Sequence, residues 1–414
     1  MKVLITGGAG FLGQGLARQL LSRGQLSDSQ GEVRRIEQLV LLDVTSAHDF
    51  GDPRVRVVTG DIADRTLLGE LLDTATASIF HLAAIVSGQA EADFELGMRI
   101  NLDASRLLLD VCRERGHRPK LVFTSSVAVY GGDLPELVQD TTARNPQSSY
   151  GTQKAIAELL LNDYSRRGFV DGRVLRLPTI SVRPGQPNRP ASSFASGIIR
   201  EPLNGLAASC PVSAEARLWL LSPRHAIASL IAVHELGAAS FGNSRTVNLT
   251  GVSVSVGEML AVLKKVAGRE AASRVSFAPD PDVETIVKGW PKAWDTRRAK
   301  ALGLSGEADF ESIVRAYMEE NPRPKAKSPT RSLVGLCLII SLTITYFHTG
   351  CSTIIGAKSF HVLFGMGRVV RLAMVIRHDL YADRSGCKRY AESGRSVLSV
   401  VSTTALKPGK TAKV

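Results

Sequence analysis

Val3-Leu4-Ile5-Thr6-Gly7-Gly8-Ala9-Gly10-Phe11-Leu12-Gly13 decides how the rest of the chain is read. A short aliphatic run leads into four glycines, and a helical pattern, Phe11–Arg23, begins before the glycines end. Glycine at 7, 10 and 13 lets the backbone turn tightly and approach a pyrophosphate, whose charge meets the free amides of a helix N-terminus. The strand before and the helix after separate this pattern from a chance glycine turn. Gly7, Gly10, Phe11, Leu12 and Gly13 are therefore expected to hold a dinucleotide.

Outward from this stretch, apolar runs and helical patterns alternate. Val3–Thr6, Leu39–Asp43, Val55–Thr59, Ser78–Leu82, Leu121–Thr124 and Arg173–Leu177 read as strands, and Phe11–Arg23, Asp93–Arg115 and Tyr150–Arg167 have helical spacing. That rhythm predicts an α/β fold, a doubly wound parallel sheet of the Rossmann kind, over residues 1–177. Residues 178–321 are expected to form a smaller mixed α/β region that mainly binds substrate. It opens on a stretch crowded with proline, glycine and serine, Pro178–Ser196, and closes with a helix, Phe310–Glu319, ahead of Pro322, Pro324 and Pro329.

Asp43 ends the second expected strand, where a carboxylate accepts from both adenosine ribose hydroxyls and repels a 2′-phosphate. No Lys or Arg lies from Val44 to His48, which favours NAD over NADP. Asp43 stands 30 residues after Gly13, against about 20 in the usual pattern. A polar insertion around Leu26–Glu37 accounts for the excess. Asp61, in Gly60-Asp61-Ile62, has two readings: an adenine contact, or the cap of a helix starting near Ala63.

Tyr150-Gly151-Thr152-Gln153-Lys154 sets a phenol and an ammonium four residues apart, on one face of a helix. A free tyrosine is a poor base at neutral pH, but an ammonium and a cationic nicotinamide nearby both favour phenolate. Tyr150 then accepts the proton of a substrate alcohol while hydride leaves its carbon. Ser126, at a strand end in Phe123-Thr124-Ser125-Ser126-Val127, is expected to hold the substrate oxygen, and Lys154 the nicotinamide ribose. Strand phase decides between Ser125 and Ser126, and Ser126 is the one expected to face the site.

Composition narrows the classes. At 44% hydrophobic and 22% charged, the chain is neither disordered nor fibrous. Its net charge of +12 sits entirely beyond residue 322, where 15 Lys and Arg face 3 Asp and Glu; residues 1–322 hold 36 of each sign. The body therefore offers no argument for a nucleic-acid partner. Cys112, Cys210, Cys337, Cys351 and Cys387 show no metal-ligand spacing, so no metal is expected. The N-terminus lacks the pattern of a secretory leader, and a reducing, cytoplasmic compartment with free thiols is the expectation.

These motifs, with His81-Leu82-Ala83-Ala84 and Trp294-Asp295 to Arg298-Ala299-Lys300-Ala301-Leu302-Gly303, occur in the order seen in the extended short-chain dehydrogenase/reductase family. Residues 1–321 resemble that family, the NAD-dependent epimerase/dehydratase group. The resemblance implies an NAD-dependent enzyme with Ser126, Tyr150 and Lys154 as its catalytic set and Asp61, Ile62 and Ala83 beside the cofactor. Ser149-Tyr150-Gly151-Thr152-Gln153-Lys154-Ala155, Arg176-Leu177-Pro178-Thr179-Ile180 and Val182-Arg183-Pro184-Gly185-Gln186-Pro187-Asn188 further resemble members that oxidise a small sugar acid, the four-carbon D-erythronate, at C2. A homodimer paired through Asp93–Arg115 and Tyr150–Arg167 is implied by analogy.

A sugar acid carries a carboxylate that must be paired when buried, and a planar guanidinium suits it. Arg183 and Arg224 are the candidate clamps, each with the plainer alternative of a surface salt bridge. His81 is expected to pack under the cofactor, and Trp219, Trp290 and Trp294 to form core or rim of the smaller region. Two other functions stay open: a nucleotide-sugar epimerase or dehydratase that retains its NAD, and a non-catalytic dinucleotide sensor.

Residues 322–414 read as a basic, partly apolar tail outside the fold. Leu333–Phe347 is nearly continuous in apolar residues but shorter than the roughly 20 that a membrane span needs. Arg368, Arg371 and Arg377 interrupt a second apolar run, a pattern that suits an acidic membrane surface. A foreign extension is the preferred reading and membrane contact the lesser one.

Overall fold

Alternation along the first strand sets the architecture. Val3 and Ile5 pack to one side with Leu16, Leu20, Ile227 and Leu230, while Leu4 packs to the other with Leu68, Leu108 and Leu161. Both faces of the strand are thus buried, the condition of a parallel sheet covered by helices on each side. The structure is a computed structural model in which residues 1–185, 191–322, 354–364 and 368–377 are described. Two units are distinguished, Met1–Lys325 and Ala326–Val414.

The first unit begins β1 (Lys2–Thr6), α1 (Phe11–Arg23), β2 (Gln25–Ser27), β3 (Val33–Arg35), β4 (Gln38–Asp43), β5 (Val55–Thr59), α2 (Arg65–Leu71) and β6 (Thr76–His81). There follow α3 (Ser87–Ala92), α4 (Phe94–Gly97), a π-helical turn (Met98–Asp103), α5 (Ala104–Arg115), β7 (Lys120–Ser126), α6 (Ser149–Arg166) and β8 (Asp171–Leu177). The remainder is β9 (Thr179–Ile180), α7 (Phe194–Leu203), β10 (Ala208–Cys210), β11 (Arg217–Leu221), α8 (Pro223–Glu235), β12 (Thr246–Asn248), β13 (Val252–Ser255), α9 (Val256–Ala272), β14 (Val275–Phe277), α10 (Pro281–Lys288), α11 (Arg297–Ala301) and α12 (Phe310–Glu320).

Seven strands form the main sheet in the order β12-β8-β7-β6-β1-β4-β5, and every neighbouring pair is parallel. The chain leaves β1 for β4 on one side and later places β6 on the other, with Thr6 opposite both Leu42 and His81. A crevice opens at such a reversal, beyond the carboxyl ends of the strands. The fold is the doubly wound sheet expected from the sequence.

The smaller lobe has its own core, in which Phe194, Ile198, Leu218, Leu220, Met259, Leu263, Ile313 and Val314 pack around the three-stranded sheet β13-β11-β9. The division drawn at residue 177 is crossed twice by the chain. Strand β12 extends the main sheet beside β8, and α8 places Ala226, Ile227 and Leu230 in the core under β1. Gly15 allows that close approach, since a side chain there would come within 2.5 Å of Ile227 Cδ1.

Two local differences from the sequence reading have physical sources. The polar insertion after α1 is an antiparallel hairpin, β2 with β3, which lies outside the main sheet and so displaces Asp43 along the sequence only. The helix expected over Asp93–Arg115 is broken by the π-helical turn, where Asn101 turns inward. Its amide accepts from Ile85 N at 2.8 Å and donates to Ile85 O and to Gln153 Oε1 at 3.1 and 2.7 Å.

Among the described residues of the second unit, β15 (Ile354–Phe364) and β16 (Arg368–Arg377) form an antiparallel hairpin. The apolar run Leu333–Phe347 lies outside the described residues. No described helix is long and apolar enough to cross a membrane.

Candidate active site

The glycine turn leaves β1 at Gly7, whose φ of 72° is left-handed. A side chain at Gly7 would come within 2.8 Å of Ala83 N, and one at Gly13 would overlap the Gly7 carbonyl. Gly10 differs: the nearest atom to a side chain there is Gly7 O at 3.3 Å, and the other directions are open. Helix α1 starts with no side-chain cap from Gly10 and no acid in its first turn. Its first amides are thus left for an anion beside a backbone without side chains, which fits a pyrophosphate.

Asp43 sits at the end of β4 and accepts from Ala9 N at 3.0 Å, so the carboxylate is fixed against the glycine turn. Its other oxygen accepts from the amide and hydroxyl of Thr45. Asp61 accepts from Ala63 N at 2.8 Å and from Arg99 Nη1 at 2.5 Å. Burial acts to raise its pKa, and these two donors outweigh that and lower it. The capping alternative for Asp61 fails, because the following helix begins at Arg65 and is capped by Asp64. Ile62 is buried beside it.

Under the crevice, His81 is closed off from solvent. Its ring bonds Thr6 Oγ1 at 2.7 Å and Ser105 Oγ at 2.9 Å and stacks on Phe123. Burial, helped by the charge of Lys154, pushes its pKa down to about 3, so the imidazole is neutral. Thr6 Oγ1 in turn accepts from Ala83 N at 3.3 Å. His81 thus acts as a prop for the turn that faces Gly7.

Helix α6 brings Tyr150 and Lys154 to the same crevice. Ser148 caps the helix by accepting from Gly151 N, and a side chain at Gly151 would overlap the carbonyl of Ala128. The first turn of α6 therefore lies directly against the segment that follows β7. A cleft of about 750 Å³ is lined there by Phe11 and Leu12 from the glycine turn, by Ser126, Tyr150 and Lys154, and by Arg183 from the smaller lobe.

Strand phase separates the two serines. Ser125 is buried and donates to Glu158 Oε1 at 2.6 Å, while Ser126 is half-buried and accepts from Ala128 N. Burial pushes Tyr150 up to about 12, opposed by a hydrogen bond from Ser126. Burial also pushes Lys154 down to about 7, opposed by the charge of Glu158. Burial thus opposes the phenolate at Tyr150 and the ammonium at Lys154 alike.

The two candidate arginines part company. Arg183 is half-buried in the cleft wall, with its amide and Nε bonded to Ser196 Oγ. Its Nη2 is buried and has no partner among the described residues. Burial and the nearby charge of Arg200 lower it to about 10. Arg224 is exposed on α8, pairs with Glu319 at 3.5 Å, and does not line the cleft.

Trp219 and Trp294 are buried 5.9 Å apart, with Tyr130 against Trp294, whereas Trp290 lines the cleft. Sequence reading missed a buried group behind the site: Glu158 accepts from Arg176 at 2.8 and 2.7 Å and from Arg144 at 3.2 Å. The signal was present, since Glu158 follows Lys154 by one helical turn.

Residues 3–218 match the model of the NAD dependent epimerase/dehydratase family. Over 320 residues the chain is 62% identical to D-erythronate dehydrogenase of Cupriavidus necator, covering 77% of this chain and 98% of that protein. It is 46% identical to D-erythronate dehydrogenase of Haemophilus influenzae, covering 77% and 99%. Among solved structures, the nucleoside-diphosphate-sugar epimerase from Agrobacterium tumefaciens superposes with a TM-score of 0.73 at 40% identity, covering 78% of this chain and 94% of that one. An L-threonine dehydrogenase from Clostridium difficile, at 22% identity and a TM-score of 0.67, shares the fold. A turn that only glycine can make, a parallel sheet that reverses beside it and likenesses over about three quarters of the chain lead to one statement: the chain belongs to the NAD-dependent epimerase/dehydratase family.

Proposed function

We propose that the chain oxidises the C2 alcohol of D-erythronate with NAD, forming 2-dehydro-D-erythronate. The observation that supports this most is the 62% identity to a D-erythronate dehydrogenase across 98% of that relative's length. In this reading the glycine turn, with Gly7, Gly10, Phe11, Leu12 and Gly13, borders the pyrophosphate, which the free amides at the start of α1 bind. Asp43 takes the adenosine ribose, Asp61 and Ile62 border the adenine, and Ala83 lies beneath the dinucleotide. NAD, when bound, supplies the hydride acceptor and a positive charge near the phenol.

Tyr150 takes the proton of the C2 hydroxyl, Ser126 hydrogen-bonds the same oxygen, and Lys154 holds the nicotinamide ribose. Arg183 pairs with the substrate carboxylate, which gives an acceptor to the Nη2 that has no partner among the described residues. Since burial raises Tyr150 and lowers Lys154, proton abstraction depends on the added positive charge and follows cofactor binding. The reading carries a reducing, cytoplasmic setting, in which buried Cys112 and Cys210 stay thiols. It also carries a homodimer, for which exposed Ile156 and Leu159 on α6 offer apolar surface.

The 40% identity to a nucleoside-diphosphate-sugar epimerase supports a second reading, in which the same residues return the hydride and NAD stays bound. Purified protein offered NAD with four-carbon aldonates, and separately with UDP-sugars, tests both. NADH accumulating with the aldonates alone is expected. Epimerised sugar without net NADH would replace the first reading by the second.

A further inference from the structure

We infer that Glu158 is a positioning residue for the proton transfer, tying α6 to β7 and β8 and setting the charge that faces Lys154, with Arg144 as its partly exposed counterweight. Glu158 is fully buried, one helical turn beyond Lys154. Arg176 from β8 grips its carboxylate with Nε at 2.8 Å and Nη2 at 2.7 Å, and Ser125 from β7 donates to it at 2.6 Å. Three elements that surround the cleft thus meet on one side chain.

The contact with Ser125 has a consequence one residue further. Neighbours on a strand point to opposite faces, so fixing Ser125 inward on Glu158 fixes Ser126 toward the cleft. Arg176 also donates to the Tyr130 hydroxyl, which bonds Asn248 at 3.1 Å, and so links the network to the cleft wall. A buried charge pair of this kind is weak evidence for stability.

The electrostatic part follows from what else is charged nearby. Facing this helix are neutral His81 from β6, Arg176 from β8, and Arg144 from the loop before α6. Glu91 from α3 bonds Ser149 N at the exposed helix start, and Arg99 and Asp103 of the π-helical turn are exposed. Arg183 stands across the cleft. Among the described residues Glu158 is the acid whose charge acts on Lys154, and two guanidiniums share its carboxylate. Arg176 is buried with it, whereas Arg144 reaches it at 3.2 Å with 31% of its side chain exposed.

Two variants then move the site in opposite directions. Glu158→Gln removes negative charge, so the phenol and the ammonium release their protons more easily. Arg144→Gln removes positive charge and exposes both groups more fully to Glu158, so they hold their protons more tightly. This inference rests on Tyr150 as the base of the proposed reaction. The measurements are the acid limb of kcat/KM for the aldonate at saturating NAD, and an ultraviolet difference titration of the Tyr150 phenol in the NAD complex, referenced to Tyr150→Phe.

Shifts of about half a pH unit or more are expected, downward for Glu158→Gln and upward for Arg144→Gln. A purely structural role would lower kcat without moving either midpoint, and an unmoved midpoint in a folded variant overturns the inference. Should Glu158→Gln fail to fold, Arg144→Gln decides alone. Full activity of Tyr150→Phe would sink the base assignment itself. The phenol titration would still report whether Glu158 and Arg144 act on the site.

Discussion

The ammonium of Lys154 lies 5.7 Å from the centre of the Tyr150 ring and donates to the carbonyl of Thr124, 2.9 Å away. The pair is assembled, and burial opposes both the phenolate and the ammonium. The phenolate should therefore form in the NAD complex at lower pH than in the free protein. An ultraviolet difference titration of the Tyr150 phenol checks this: its midpoint should fall when NAD is added, and an unmoved midpoint would contradict it.

Arg183→Ala should lower kcat/KM for the sugar acid by about 1.5–3 kcal/mol, roughly ten- to a hundredfold, mostly through KM. Arg224→Ala should leave both constants within about twofold, since its exposed pair with Glu319 is worth little. Steady-state kinetics of the two variants separate them, and equal losses would contradict the assignment of Arg183.

Asp43→Ser should relax the choice of cofactor. Removing the carboxylate takes away the repulsion of a 2′-phosphate and an acceptor for the ribose hydroxyls. The ratio of kcat/KM for NAD over NADP is expected to fall at least about tenfold, the scale of one charge-assisted hydrogen bond. An unchanged ratio would place the ribose elsewhere.

Gly151→Ala should damage the site without touching a reacting atom. The new methyl would overlap Ala128 O and force α6 away from the end of β7. A loss of about 1–3 kcal/mol in stability is expected together with reduced turnover, read by denaturant unfolding and kcat. A stable variant with full activity would show that the helix has room to move.

Stability should fall with acid through two buried histidines. His81 is pushed to about 3 by burial and by the charge of Lys154, and His234 to about 4, mainly by burial. A folded-state pKa below the unfolded value near 6.5 means that stability is full above that pH and is lost as the pH falls toward 3–4. Each histidine contributes a slope of about 1.4 kcal/mol per pH unit in that window. Lys154, at about 7, alters stability only above neutrality. Thermal melts should be level just below pH 7 and drop from pH 6 downward, and a level melt down to pH 5 would contradict the neutral burial of these rings.

Much of this was legible in the sequence because the signals were local. The glycine turn, the strand before it and the Tyr150–Lys154 spacing each fall within a few residues, and their backbone consequences follow from chirality and helical period. What stayed hidden depends on distant segments. Strand β12 is three residues long and joins the sheet only because β8 stands ready to pair with it. Arg183 and Arg224 look alike in sequence, and only the packing of α8 beneath β1 carries Arg224 away from the cleft. The charge state of the Tyr150–Lys154 pair was also out of reach, since it turns on burial and not on spacing.

Replacing Tyr150 by Phe, with NAD binding measured on the same preparation, tests the central claim most directly. The account predicts that NAD affinity is largely kept, because the glycine turn, Asp43 and Lys154 are untouched. It also predicts that NADH formation from D-erythronate falls by about 10²–10⁴-fold, the scale of a lost general base. Turnover near that of the unaltered protein, with NAD bound, would contradict it.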